Sequence, residues 1–233
     1  MIAIICAMSE ERDALLSIAS DIKVVKIDAI RYHGMAFDNK CYKAFISNKE
    51  VIIAHCGVGK AYAAIVTTII IKKFKPELII NVGCAGSLNA KIHVGDVVIA
   101  SRVGDWDVDV PGWNRSIISD KMSYACDGRF SKLIKNEKFN FKVVSGSIVS
   151  SDQFVYRKSQ LNIIKKYFPE ALCAEMEGSS IASASYAFGI NCAIIRSISD
   201  ETLVNGNYKN FDFNLQKACK NAATICEKIL MRY

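Results

Sequence analysis

Apolar positions in this chain fall into short continuous runs, with little of the alternation expected of half-exposed strands. Ile2 to Cys6, Val51 to His55, Leu78 to Val82, Val97 to Ala100, Val143 to Val149, Leu172 to Ala174 and Cys192 to Ile195 are rich in β-branched residues, which predicts strands buried on both faces. Helical spacing replaces them at Glu10 to Ala19, Lys60 to Phe74, Arg157 to Tyr167, Glu177 to Phe188 and Phe213 to Met231. Lys75-Pro76 should stop the second helix, and Gly189 suits the C-terminal end of the fourth. Strands and helices in alternation predict a central mixed β-sheet with helices on both faces, a three-layer α/β/α sandwich. Tyr32 to Phe37, Tyr42 to Ile46 and Val51 to His55 have no helix between them, so an antiparallel meander is expected there.

Composition narrows the class. A length of 233 residues with 51% hydrophobic content suits one folded catalytic domain spanning 1–233. The net charge of +7 comes from scattered lysines such as Lys72, Lys132 and Lys165, which read as solvated helix faces and imply no nucleic-acid partner. Nine cysteines, an odd number without a CxxC spacing, predict reduced thiols in a cytoplasmic protein. The first strand opens into an acidic helix and lacks the features of a signal peptide. Ala61 to Ile71, the longest apolar run, is shorter than the roughly 20 residues that span a bilayer, so no membrane partner is expected. No His/Cys/Asp cluster has ligand spacing, so no metal and no cofactor is expected.

Acids mark the candidate chemistry. Ser199 and Asp200 should lie just past the strand Cys192 to Arg196, where open α/β sheets gather ligands. Glu175 and Glu177 flank a strand-to-helix turn, and Glu11 follows the first strand. The helix dipole alone would favour one acid at a helix start, but it explains two directly after Leu172-Cys173-Ala174 less well. Three strand ends therefore deliver carboxylates suited to acid–base work on a small molecule. Gly57-Val58-Gly59-Lys60 is either a turn that offers N–H groups to an anion or a packing turn; it is no Walker motif. Gly83 and Gly86 bracket small residues in Asn81 to Ser87, where nearly bare backbone would let a flat ring approach. Phe154 is an aromatic residue in a polar turn, which suits either core packing or ring stacking.

These motifs, in order, resemble the purine and uridine phosphorylase superfamily, and most closely its methylthioadenosine/S-adenosylhomocysteine nucleosidases. Ala7-Met8-Ser9-Glu10-Glu11, Gly57 to Lys60, Asn81 to Gly86, Val94-Gly95-Asp96, Val149 to Phe154, Glu175-Met176-Glu177 and Ile198-Ser199-Asp200 carry the resemblance over nearly the whole chain. It implies a nucleoside phosphorylase-like fold and hydrolysis of an adenine–ribose bond. By the same resemblance Asp200 is the general acid toward adenine N7, oriented by Ser199, and Glu11 is the base that activates water. Glu177 then holds the ribose hydroxyls, with Met176 packed on the sugar and Glu175 beside it. Phe154 stacks on adenine, the backbone of Val155 pairs with its edge, and Cys84, Ala85, Gly86 and Met8 complete the substrate wall.

Two departures from the family stand out. Cys84 and Ser87 replace its usual Ser and Gly, and a thiol is the weaker donor. The segment Asp105 to Arg115 has Trp106 near a position usually held by His and is shortened, ending at Pro111 and Trp113. In the family this loop reaches a neighbouring subunit, which implies a homodimer in which Pro111 and Trp113 line the partner's 5′ pocket. Arginines that would surround a phosphate are missing near Asn81 to Ser87, which favours hydrolysis. A purine nucleoside phosphorylase, another nucleosidase such as one acting on futalosine, and a silent nucleoside-binding protein are the alternatives.

Overall fold

The computed structural model describes residues 1–27, 40–112, 114, 123–204, 206 and 208–233, with side chains from 211 onward in the last stretch. Ten strands join in one mixed sheet: β1 (Ile2–Cys6), β2 (Ser20–Lys26), β3 (Lys40–Ile46), β4 (Lys49–His55), β5 (Leu78–Ser87), β6 (Val97–Asp105), β7 (Ser123–Ala125), β8 (Val143–Ser150), β9 (Ala171–Glu175) and β10 (Asn191–Glu201). The described helices are α1 (Ser9–Leu16), α2 (Lys60–Phe74), α3 (Arg129–Leu133), α4 (Lys158–Tyr167), α5 (Gly178–Ala187) and α6 (Tyr208–Arg232).

β5 is the hinge of the sheet. On one side it pairs in parallel with β1, which continues through β4, β3 and β2. On the other it pairs with β10, and the order β5-β10-β6-β8-β9 returns to β5 through Gly86 and Ser87. That closure makes a ring of five strands, which leaves no free edge on that side. Two apolar clusters cover opposite faces, one under α2 and α5 with Ile5, Ile79 and Ile194, the other under α1 and α6 with Ile4, Ile80 and Ile195. Neighbours in sequence thus face opposite layers, the pattern of strands buried on both sides and the expected α/β/α arrangement.

Several boundaries differ from the sequence expectation. Among the described residues the meander consists of β2, β3 and β4, and the expected Tyr32 to Phe37 run lies outside them; α1 ends at Leu16, and Ser20 begins a strand paired with β3. β2 has no buried-strand signal in the sequence because nearly all its residues are exposed. β7 and α3 are too short for a periodic signal. Both strands at the site are longer than their apolar runs: Asn81 to Ser87 is part of β5, and Ser199 and Asp200 lie within β10, not beyond it. Lys75 ends α2 in a left-handed conformation with φ 47°, and Gly189 follows α5 with φ 66°.

Candidate active site

One cavity of about 360 Å³ opens at the C-terminal ends of β1, β5, β8, β9 and β10. Its wall brings together every side chain singled out for this chain's own site: Met8, Glu11, Cys84, Ala85, Gly86, Phe154, Val155, Glu175, Met176, Glu177, Ser199 and Asp200. Residues more than a hundred positions apart meet because parallel strands end on the same edge of the sheet.

Glu11 stands in the first turn of α1 and is almost wholly buried. It accepts the N–H groups of Ala7 at 2.8 Å and Met8 at 3.1 Å on Oε2, and that of Cys84 at 2.9 Å on Oε1. The first two bonds occupy donors that the start of a helix would leave unsatisfied. The third ties α1 to β5. Burial raises the Glu11 pKa above its ordinary value, against Arg196 and these backbone donors, which favour the anion.

Asp200 is placed by a bulge. β10 pairs with β5 in register up to Ile198 opposite Ala85, then resumes with Asp200 opposite Gly86. Ser199 is the extra residue, and such an insertion re-aims the side chain that follows. Ser199 Oγ donates to Asp200 Oδ1 at 3.0 Å, with Ala85 O at 3.3 Å as the other acceptor in reach. Thr202 pins the strand end by donating its Oγ1 hydrogen to Ser87 O at 2.6 Å. Gly86 is required here: a Cβ would stand 3.0 Å from Asp200 Oδ2 and 2.7 Å from Thr202 Cγ2.

Arg196 is the hub beneath the cavity, 1% exposed. Its guanidinium pairs with Glu175, donates to Asn81 Oδ1, and lies 3.8 Å from Glu177 Oε2. Glu175 also accepts from Ser150 Oγ and from the N–H groups of Glu177 at 3.0 Å and Gly178 at 2.7 Å. Its oxygens are thus engaged inside the protein although the residue lines the cavity. Three buried carboxylates, Glu11, Glu175 and Glu177, share one guanidinium. Full ionisation would leave excess negative charge in a desolvated site. Burial and then the Glu175 charge push the Glu177 carboxyl up to about 8.

The turn before α2 resolves the two readings of Gly57 to Lys60. Gly59 donates its N–H to Glu177 Oε1 at 2.9 Å, and Lys60 donates its N–H to Asp152 Oδ1 at 2.8 Å. The acidic groups held at this helix start are the protein's own side chains, Glu177 and Asp152. Lys60 Nζ then bridges Asp105 at 3.2 Å and Asp107 at 2.7 Å, fixing the start of the 105–115 segment. Trp106 is buried against Val149, Val155, Ile164 and Phe168. Pro111 is exposed and does not line this cavity; Trp113 lies outside the described residues.

Phe154 lines the cavity with Phe211, their rings edge-to-face at 6.0 Å and 88°. Gln160 donates Nε2 to Phe154 O at 3.1 Å and accepts the N–H of Tyr156 and Arg157, which holds the loop carrying Phe154 and Val155. Phe211 and Thr202 belong to no motif in the sequence, while Val58 and Gln153 belong to motifs that gave them no role of their own. Phe211 had a usable signal, since the pair Phe211 and Phe213 sits in a polar stretch; α6 begins at Tyr208, ahead of the predicted Phe213.

A mixed sheet closed on one side, with buried acids converging at its strand ends, is the plan of a nucleoside-cleaving α/β enzyme class. The sequence profile described as "Phosphorylase superfamily" matches residues 1–231. The chain belongs to that superfamily, and within it to the family of the 5′-methylthioadenosine/S-adenosylhomocysteine nucleosidases. It is 34% identical to the nucleosidase of that name from Staphylococcus haemolyticus, over 99% of each chain. The structure of the corresponding enzyme from Neisseria meningitidis in complex with methylthio-immucillin-A matches with a TM-score of 0.84 and 29% identity, over 100% of this chain and 99% of that one. Futalosine hydrolase of Helicobacter pylori matches with a TM-score of 0.80 and 26% identity, over 98% and 96%. Among the described residues no helix is long and apolar enough to cross a membrane, and no group of three or more His, Cys, Asp or Glu is placed to hold a metal ion.

Proposed function

We propose that this chain hydrolyses the N-glycosidic bond of 5′-methylthioadenosine, S-adenosylhomocysteine or both, with 5′-deoxyadenosine a further candidate, releasing adenine and the 5-substituted ribose. The observation that carries this reading is the wall of the cavity. Among the described residues it holds four acids and no Arg or Lys side chain. A phosphate nucleophile carries negative charge and needs cationic partners; water does not. Glu11 beside the reacting carbon would repel phosphate and accept a proton from water.

Cleavage leaves positive charge on the sugar and negative charge on the base, so the leaving purine needs a proton and the sugar needs a nucleophile. Two carboxylates in opposite protonation states supply both, as in inverting glycoside hydrolysis. In this assignment Asp200 protonates adenine N7 and Ser199 holds the carboxyl. When Asp200 carries the proton, the Ser199 hydroxyl can turn to Ala85 O, which lies within reach. Glu11 takes the proton from water, Glu177 binds the ribose hydroxyls over Met176, and Phe154 stacks on the base.

The test is product analysis on a panel of methylthioadenosine, S-adenosylhomocysteine, 5′-deoxyadenosine, adenosine and futalosine, with and without phosphate. Free sugar with adenine, at a rate indifferent to phosphate, is expected. Sugar 1-phosphate formed only with phosphate would make the chain a phosphorylase. Turnover of futalosine alone would move it to the other matched nucleosidase, and binding without turnover of any substrate would leave a silent nucleoside binder.

The working assembly in this proposal is a cytoplasmic homodimer in which Pro111 and Trp113 close the partner's 5′ pocket. Val110-Pro111-Gly112-Trp113 is apolar and conformationally restricted amid acids, and Trp is a common interface anchor. Trp113→Ala should weaken both dimerisation and affinity for 5′-alkylthio substrates, and affect adenosine less. Sedimentation as a fully active monomer at micromolar concentration would refute the arrangement.

A further inference from the structure

Cys84 and Cys219 face each other at the edge of the cavity, with Sγ to Sγ 3.6 Å. Cys84 lies in β5 and lines the cavity; Cys219 lies in α6 and is buried at 3% exposure. Of the nine cysteines, Cys84 and Cys126 are half-buried and the other seven are buried. The 84/219 pair therefore combines a thiol reachable from the ligand space with a second thiol directly behind it. Closing the sulfurs to bonding distance needs a movement of about 1.5 Å.

We propose that Cys84 and Cys219 form an oxidisable thiol pair that joins β5 to α6 as a disulfide when a small hydroperoxide enters the cavity. The Cys84 sulfur attacks the peroxide oxygen, which cleaves the O–O bond, gives a sulfenic acid and releases one water. The Cys219 sulfur then displaces that hydroxyl, which leaves as a second water with the Cys219 proton. Two thiols and one hydrogen peroxide become one disulfide and two waters. The peroxide is the oxidant.

The link touches the site on both sides. The backbone N–H of Cys84 is the donor to Glu11 Oε1, and α6 carries Phe211 over the cavity. Pulling Sγ of Cys84 toward α6 shifts both. The hydrogen bond to Cys219, then burial and the Glu11 charge hold Cys84 in the thiol form, so oxidation is slow near neutrality and quickens as pH rises. A ligand in the cavity covers Cys84 and should slow it further.

The inference rests on the nucleosidase reading for its effect on rate, and on thiol chemistry alone for the link itself. Peroxide treatment of the full-length protein at increasing pH, followed by peptide mass mapping, is the test. The expected result is a cross-linked Cys84–Cys219 peptide pair lacking two hydrogens, formed more slowly with adenine present. Turnover should fall at least about ten-fold, since displacements near 1 Å cost that much or more, and return with dithiothreitol. Cys219→Ser should keep basal turnover and form no link; Cys219→Ala, which buries no hydroxyl, serves if the Ser variant does not fold. Cys84 and Cys219 recovered as separate thiols, or Cys84 linked elsewhere, would overturn the pair. A complete link with undiminished turnover would overturn its effect on the site.

Discussion

Gly59 and Glu177 lie 118 residues apart and meet in one hydrogen bond, Gly59 N–H to Glu177 Oε1 at 2.9 Å. Gly59 adopts φ +102°, and a Cβ there would stand 3.3 Å from Asp152 Oδ1. This contact joins the starts of α2 and α5 and holds a carboxyl whose proton is bound unusually tightly.

That proton has a consequence for stability. The folded value for Glu177, about 8, lies above the ordinary 4.5, so between them the folded chain keeps a proton that the unfolded chain has lost. Stability must fall as pH rises through that window, by up to about 1.4 kcal/mol per pH unit for one group. Glu11 is raised as well and adds in the same direction. Thermal unfolding of the ligand-free protein should show Tm declining from pH 5 to 8, with a shallower decline in Glu177→Gln. An unchanged slope in that variant would place the retained proton elsewhere.

Asp200→Asn keeps the shape of the side chain and removes the transferable proton. Turnover should drop by about 10²–10⁴-fold with adenine binding retained. Glu11→Gln should also lower kcat with little change in KM, because the base acts on water. A raised KM at constant kcat in Glu11→Gln would make Glu11 a substrate ligand, not a base.

Two glycines make room for the two proposed proton-transfer groups. A Cβ at Gly83 would lie 2.7 Å from Glu11 Oε1 and 2.9 Å from Arg196 Nη1; at Gly86 it would meet Asp200 Oδ2 at 3.0 Å. Gly83→Ala and Gly86→Ala should each cost about ten- to a hundred-fold in kcat/KM, since misplacement near 1 Å is enough. Circular dichroism would check that the fold survives. Wild-type kinetics in Gly86→Ala would show that Asp200 does not depend on this gap.

Glu175 separates structure from recognition. Its oxygens serve Ser150, Arg196 and two backbone N–H groups, so Glu175→Gln should destabilise the fold by about 3–5 kcal/mol in urea unfolding, as expected when a buried ion pair loses one partner. Full stability with a raised KM would instead assign Glu175 to the substrate.

The alternation of the longer strands with helices, the buried character of β1, β5 and β10, and the acids at the ends of β1, β9 and β10 could be read from local pattern. β-branched runs and helical spacing are local properties. The resemblance added roles to those acids. What only the tertiary structure decided depends on pairing between distant segments. β5 continues to Ser87 and β10 to Glu201 because each supplies the other's hydrogen bonds, while Cys84 to Gly86 and Ser199-Asp200 face a cavity and so lose the apolar pattern that marks a strand. The bulge at Ser199 exists only relative to Ala85 and Gly86 across the ladder. β2 became a strand through pairing with β3 despite its exposed residues. Glu175 and Glu177 look alike in sequence, two acids astride Met176; Arg196, Ser150 and Gly59, brought in from other elements, give them different partners.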